Sequence, residues 1–219
     1  MKKTTIIALL VVAVLPVISY LLVEDLSKGA VQMPRRYFYD TVVVKKEKGR
    51  DVNDTVWHKV RPFKLKNQFG KEVGFDDLNG KIVIADFFFT SCPSICPKLT
   101  RNMKRLQDAF KKTDTIVRFV SFTIDPERDS VPKIKAYGDR FGIDHDTWWM
   151  LTGDRKEIYD IALNEFKASI ASEGNIDTGF IHTEKFFLLD RDKVVRGWYD
   201  GLDSVNLGRL IKDVVLLNM

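Results

Sequence analysis

Two thiols that lie three residues apart carry the most reactive chemistry in this chain. Cys92 and Cys96 are its only cysteines among 219 residues, and each is followed by a proline. An apolar run at residues 82–89, interrupted only by Asp86, lies just before them. A strand that leads into two thiols places sulfur at the carboxyl edge of a sheet, where open α/β folds carry their sites. The pair predicts either thiol–disulfide exchange or the binding of a soft metal ion.

The spacing of the two cysteines leaves both kinds of chemistry open. Closing so short a loop with a disulfide removes little chain entropy, which argues against a purely structural bridge. Pro97 favours the start of a helix, so Cys96 falls in a first helical turn, where partial positive charge stabilises a thiolate. Thiol–disulfide oxidoreductases usually have two residues between their cysteines, and this chain has three. The wider gap suits a metal, and paired thiolates suit Cu(I) or Zn(II).

A third ligand would have to come from one of three histidines. His58 alternates with apolar residues on an early predicted strand, and His145 stands among carboxylates in a predicted turn, so both favour surface roles. His182 follows a polar stretch and precedes a predicted hairpin, whose start should approach the cysteine loop. A neutral imidazole is a normal copper ligand. His182 is therefore the candidate third ligand, and a hydrogen-bonded loop histidine is the alternative.

The order of the predicted elements indicates an α/β fold with mixed strand directions. Apolar strands at residues 82–89, 115–124 and 148–151 alternate with amphipathic helices. An earlier hairpin is predicted around residues 67–71, and a second hairpin and a last helix end the chain. A parallel core with an antiparallel hairpin describes a thioredoxin-like mixed sheet flanked by helices.

The first residues predict a membrane anchor. Residues 6–23 carry no charge and follow Lys2 and Lys3, and about 18 to 20 apolar residues are enough to span a bilayer. A cleaved signal peptide is the alternative, but it would have a shorter apolar core and small residues before a cleavage site. The basic start favours a cytoplasmic N-terminus. We therefore expect a single N-terminal transmembrane helix, with the remaining chain on the extracytoplasmic (periplasmic) side.

Three segments are predicted: an anchor at residues 1–23, a tether with some strand content at 24–54, and a thioredoxin-like domain at 55–219. The net charge of +5 is small and dispersed along the chain. A nucleic-acid-binding domain would show a concentrated basic face. We therefore expect no nucleic-acid partner.

Two segments and one histidine resemble the Sco/SenC family. Residues 88–97, FFTSCPSICP, are similar to its signature F-x-T-x-C-P-x-x-C-P, and residues 121–129, SFTIDPERD, are similar to its S-x-x-x-D-P-E-R-D segment. His182 falls where that family keeps its ligand histidine. The resemblance covers about residues 60–215, and the predicted anchor fits it as well.

The resemblance implies a membrane-anchored copper metallochaperone with a thioredoxin-like fold, and not primarily an enzyme. The implied ligands of Cu(I) or Cu(II) are Cys92, Cys96 and His182. The implied role is assembly of the copper centre of cytochrome c oxidase. The copper-bearing subunit of the oxidase, or other copper chaperones, would then be the partners.

Two acidic residues add further expectations. The resemblance places Asp125 near the metal without making it a ligand; the alternative is a simple turn, with Arg128 and Asp129 as a surface ion pair. Asp86 is unusual for the family, but thioredoxins keep a buried acid at that offset as a proton acceptor. A buried carboxylate is costly unless it is partnered or protonated.

A thiol–disulfide oxidoreductase that keeps partner cysteines reduced for metal loading is therefore the alternative function. A thiol peroxidase fits less well, because it needs one activated cysteine and not a tight pair.

Overall fold

A computed structural model describes residues 3–28, 32–47, 49–111, 115–168 and 183–219. The chain divides into two compact units, Met1–Met33 and Pro34–Met219. The first unit contains helix α1 (Lys3–Lys28), which has Pro16 in its interior. Within the residues that the structure describes, no helix is both long enough and apolar enough to cross a membrane.

The second unit alternates strands and helices. Its strands are β1 (Tyr39–Glu47), β2 (Arg50–Trp57), β3 (Leu65–Asn67), β4 (Glu72–Val73), β5 (Ile82–Phe88), β6 (Val117–Thr123), β7 (Trp148–Thr152), β8 (Lys185–Leu189) and β9 (Val195–Asp200). Its helices are α2 (Cys96–Ala109), α3 (Val131–Phe141), α4 (Arg155–Asp160) and α5 (Ser204–Asn218), with a 3₁₀ turn at Phe75–Leu78 and a π-helical turn at Ile161–Glu165.

Seven of these strands form one mixed sheet in the order β4-β3-β7-β6-β5-β8-β9. Strands β5, β6 and β7 run parallel, whereas β3 is antiparallel to β7 and β8 is antiparallel to β5. Parallel neighbours need helical crossovers, which α2 and α3 provide. The carboxyl ends of β5 and β6 therefore meet at one edge of the sheet.

The apolar run of β5 divides the core between the two faces of this sheet. All seven residues of β5 are buried, as expected for a central strand covered on both sides. Val83, Ala85 and Phe87 pack on the face covered by α4 and the π-helical turn. Ile84 and Phe88 pack on the face covered by α2, α3 and α5. Asp86 alternates with this second pair, so it lies on the α2 face.

Most of the predicted core elements are confirmed. Helix α3 is one of the amphipathic helices expected between the apolar strands, and Asp203 caps the last helix by accepting hydrogen bonds from two backbone amides. The predicted early hairpin is shorter, with only β3 and β4 paired. After Asp154 the α-helix continues only to Asp160, where the π-helical turn follows.

The segment before the domain contains more regular structure than a simple tether. Strands β1 and β2 form a separate two-stranded antiparallel sheet. Strand β2 crosses the predicted boundary between residues 54 and 55. The division into segments 1–23, 24–54 and 55–219 stays a prediction.

Candidate metal centre

The two cysteines lie in the loop that joins β5 to α2. The Cys92 amide donates a hydrogen bond to the Phe89 carbonyl oxygen at 3.3 Å, which folds the chain back after the strand. Helix α2 starts at Cys96, with Pro97 in its first turn. The Cys96 amide donates to the Cys92 sulfur at 3.5 Å. A free amide at the start of a helix therefore points at one sulfur, and both side chains are buried.

The two thiols differ in acidity. Burial by itself would raise the pKa of the Cys92 thiol, but hydrogen bonds from the amides of Cys96 and Ser94 and from the Cys96 thiol lower it below its ordinary value. Burial raises the pKa of the Cys96 thiol, and the neighbouring Cys92 raises it further. Cys92 is thus the more acidic of the two thiols, and the proton of Cys96 is the harder one to remove.

Asp129 fixes the cysteine loop. Its side chain is fully buried, and one carboxylate oxygen accepts a hydrogen bond from the Thr90 amide at 2.9 Å. The hydroxyl groups of Thr90 and Thr123 also donate to this carboxylate. The residue thereby joins the end of β6 to the loop that carries Cys92. The reading of Asp129 as a surface partner of Arg128 is wrong.

Asp125 orders the neighbouring turn between β6 and α3, which carries Asp129. Its carboxylate Oδ2 lies 3.2 Å from Arg128 Nε, and its amide donates to Thr123 Oγ1 at 3.1 Å. Its carbonyl oxygen accepts from the amides of Arg128 and Asp129. Within the described residues no hydrogen bond joins Asp125 to either cysteine.

Asp86 lies beneath the cysteines on the α2 face of the sheet. It is 2% exposed, and its Oδ1 has no hydrogen-bond partner among the described residues. Burial raises the pKa of Asp86 to about 7, while a hydrogen bond with Ser121 opposes the rise. Ser121 Oγ in turn accepts from Trp148 Nε1 at 2.9 Å. The charge on Asp86 raises the pKa of Cys96, so the ionisation of one group affects the pKa of the other.

Two of the three histidines already contact other polar side chains in the structure. His58 lies 2.7 Å from Asp40 Oδ1 and 3.3 Å from Glu165 Oε2. His145 contacts Gln68 Nε2 and Asp139 Oδ1, both at 2.9 Å. Both side chains are mostly buried, which corrects the expectation of simple surface residues.

The predicted ligand His182 lies outside the described residues. Its neighbour Thr183 is described and buried. Strand β8 runs antiparallel to β5, with Ala85 opposite Phe187. The amino end of β8 therefore lies beside the carboxyl end of β5, where the cysteine loop begins. Among the described residues no cluster of three or more potential ligands is present.

Comparison with known proteins decides the family. Residues 53–215 match the family model described as SCO1/SenC. The chain belongs to the SCO1/SenC family. It is 35% identical over 167 residues to the "SCO1 protein homolog" of Bacillus subtilis, covering 76% of this chain and 86% of that protein.

Solved Sco structures share the fold. A SCO1/SenC family lipoprotein of Bacillus anthracis superposes with a TM-score of 0.65 at 32% identity, covering 74% of this chain and 96% of the other. BsSco, described as having a disulfide switch and as a member of a family of cytochrome c oxidase assembly proteins, gives 0.64 at 35% identity, with 74% and 94% covered. ScoI of Arabidopsis thaliana with copper bound gives 0.56 at 25% identity, with 71% and 97% covered. The predicted thioredoxin-like sheet flanked by helices is therefore confirmed.

Proposed function

We propose that this protein is a copper metallochaperone, and that one copper ion binds to Cys92, Cys96 and His182. The observation that carries the proposal is the amide at the start of α2, which donates to the Cys92 sulfur beside a second thiol. Two closely spaced thiol groups are donors that suit Cu(I). The copper-bound Arabidopsis relative supports the same choice of metal.

The assignment of His182 is supported by exclusion and by topology. Of the three histidines in the chain, His58 and His145 already contact carboxylates. The residue after His182, Thr183, begins the segment that leads into β8 beside the cysteine edge of the sheet. An imidazole joined to two thiolates gives an open three-ligand site, from which a partner's ligands can remove the metal.

The acidic residues around the loop act on this site through positioning. Asp129 holds Thr90, and Asp125 orders the turn that carries Asp129. Asp125 would thus influence metal binding through the loop without coordinating the ion. Rigid support of this kind maintains the geometry of metal ligands.

The site would deliver copper during assembly of the copper centre of cytochrome c oxidase. The 35% identity with BsSco, which is named as a member of that group of assembly proteins, supports this role. The recipient would be the copper-bearing oxidase subunit or another copper chaperone. The uncharged residues 6–23 support an N-terminal membrane anchor that would hold the domain on the extracytoplasmic side.

Anaerobic titration of the reduced chain with Cu(I) tests the copper proposal. We expect one tightly bound Cu(I) ion per chain. A parallel titration with Cu(II) should show a large loss of affinity and a changed visible spectrum in His182→Ala. His145→Ala removes a histidine that already contacts Gln68 and Asp139, and it should leave both readouts unchanged. Unchanged Cu(II) binding in His182→Ala would refute the ligand assignment.

The buried carboxyl of Asp86 favours a second function, thiol–disulfide exchange that keeps a partner's cysteines reduced. A neutral carboxyl beneath the less acidic thiol can exchange a proton with it during the reaction. Disulfide reduction that survives His182→Ala but falls in Asp86→Asn would favour this function. Equal loss of reduction in both variants would count against it.

A further inference from the structure

The hairpin β1–β2 has an open edge and two exposed faces. All nine residues of β1 are exposed, and within the described chain β1 pairs only with β2. A two-stranded hairpin is at best marginally stable in water, and an open edge is a template for another strand. The Thr41–Val44 run is β-branched throughout, which gives it a strong preference for a sheet.

We propose that β1 pairs antiparallel with β1 of a second copy of this chain. The two hairpins would then form one four-stranded sheet in the order β2-β1-β1-β2, with β1 of each copy at its centre. The proposal does not depend on copper. Most of the hairpin precedes residue 53, where the match to the SCO1/SenC model begins, so the family's shared fold does not account for it.

Symmetry limits the register of this pairing. A two-fold axis perpendicular to a sheet keeps each side chain on its own face, and directly opposed residues also share a face. The axis must therefore pass midway between one residue and the same residue of the second copy, which face each other across the strand pair. Only registers centred on a single residue of β1 are allowed, and these can be compared one by one.

The register centred on Val43 opposes valines to valines and an acidic residue to a basic residue, with Thr41 opposite Lys45. It places Val43 opposite Val43, Val42 opposite Val44, and Asp40 opposite Lys46 of the second copy. A centre on Val42 would oppose Asp40 to Val44, and a centre on Val44 would oppose Val42 to Lys46. Apolar and oppositely charged cross-strand pairs stabilise a sheet, so β1 is complementary to itself in one register.

The exposed side chains are available for this pairing. Val42, Val43 and Val44 are 47%, 38% and 63% exposed. Asp40 uses Oδ1 to contact His58, which leaves its other oxygen for Lys46 of the second copy. The ladder between β1 and β2 is irregular only between Tyr39 and Thr41, so Asp40 lies at a bulge and the three valines lie in the regular part of the strand.

The other strand of the hairpin is less suited to pairing with itself. A centre on Asn53 would oppose Val52 to Asp54, and a centre on Val52 would oppose Arg50 to Asp54 but would pair only one valine with its copy. Asp54 also pairs with Lys45 within the hairpin. Strand β1 is therefore the edge that the second copy uses.

Cysteine cross-linking tests the register directly. In the full chain in detergent, with Cys92→Ser and Cys96→Ser to remove the native thiols, Val43→Cys should form an intermolecular disulfide under mild oxidation. Directly opposed residues of antiparallel strands have Cα atoms about 4.5–5.5 Å apart, which lies within the range of a disulfide. Val52→Cys is the matched control, because it is exposed on the other strand and lies far from the two-fold axis. Cross-linking of Val43→Cys that is no faster than that of Val52→Cys would overturn the proposal.

Charge reversal tests the pairing without any cross-link. Sedimentation equilibrium of the full chain in detergent should show a dimer that Lys46→Glu and Asp40→Lys each weaken by about tenfold. An equimolar mixture of the two variants restores both charge pairs, so it should associate as well as the original chain. Lys66→Glu makes the same charge change at the exposed residue of β3 and should have no effect. A chain that stays monomeric, or a dimer that is insensitive to these changes, would overturn the proposal.

Discussion

Replacing Asp86 by Asn should remove a pH-dependent destabilisation from the folded domain. Asp86 is 2% exposed, and its Oδ1 is unpartnered among the described residues. The remaining hydrogen bond, with Ser121, does not offset burial, so the pKa of Asp86 rises from 3.8 to about 7. Asparagine has nearly the same shape but carries no proton that titrates.

The sign follows from proton binding in the two states. Below about pH 4 the carboxyl is neutral in both states and contributes no penalty. Between about pH 4 and pH 7 the unfolded chain releases this proton while the folded chain keeps it, so stability falls as pH rises. A shift from 3.8 to about 7 corresponds to about 4 kcal/mol at 1.36 kcal/mol per pKa unit. Asp86→Asn should therefore gain up to about this much stability, relative to the original chain, between pH 4 and pH 8.

Urea unfolding of the reduced protein, followed by tryptophan fluorescence, measures this difference. The original chain and Asp86→Asn are compared at pH 4.5, 6 and 8, and subtracting one from the other cancels titrations that both proteins share. Ser121→Ala is the matched control, because it removes the hydrogen-bond partner and keeps the carboxyl. A difference that does not change with pH, or that changes in favour of the original chain, would refute the reasoning.

Of three further predictions, two concern the cysteine loop and one concerns the packing of Gly201 against α2. Asp129→Ala should lower the free energy of unfolding by about 3 kcal/mol, because it leaves the Thr90 amide without its acceptor, and it should speed alkylation of Cys92. Asp129→Asn should lose less of this free energy, as measured by urea unfolding. Iodoacetamide should modify Cys92 in Cys96→Ser more than tenfold faster than it modifies Cys96 in Cys92→Ser at pH 7, because only Cys92 has a lowered pKa; equal rates would contradict this. Gly201→Ala should cost about 1–3 kcal/mol, because its new methyl group would lie 2.5 Å from a leucine methyl group on α2; an unchanged urea midpoint would contradict the packing.

The central fold could be predicted because its strands carry unambiguous signals. Residues 82–88 form an apolar run, interrupted only by Asp86, that is typical of a strand buried on both faces. The hairpin β1–β2 was harder, since only residues 41–44 suggested a strand and charged residues flank them in β1. Its pairing depends on cross-strand partners such as Lys45 and Asp54, which pattern alone does not reveal. The π-helical turn at Ile161–Glu165 has no periodicity that separates it from an α-helix.

The site could be predicted in its sulfur pair but not in its support. The spacing of Cys92 and Cys96 and the following proline indicated that Cys96 begins a helix, which the structure confirms. The thiol whose pKa is lowered is nevertheless Cys92, in the loop before the helix. Asp129 was missed, because an acid next to Pro126 and Arg128 is typical of a solvated turn. Its burial depends on Thr90, which is distant in sequence. The repeated acids in residues 125–129 were the only signal that could have suggested its role.

X-ray absorption of the Cu(I)-loaded chain tests the proposed copper centre most directly. We expect two sulfur ligands and one nitrogen ligand for each copper ion, with the nitrogen contribution lost in His182→Ala and kept in His145→Ala. A copper environment that His182→Ala leaves unchanged, or one that contains a single sulfur, would contradict the proposed centre.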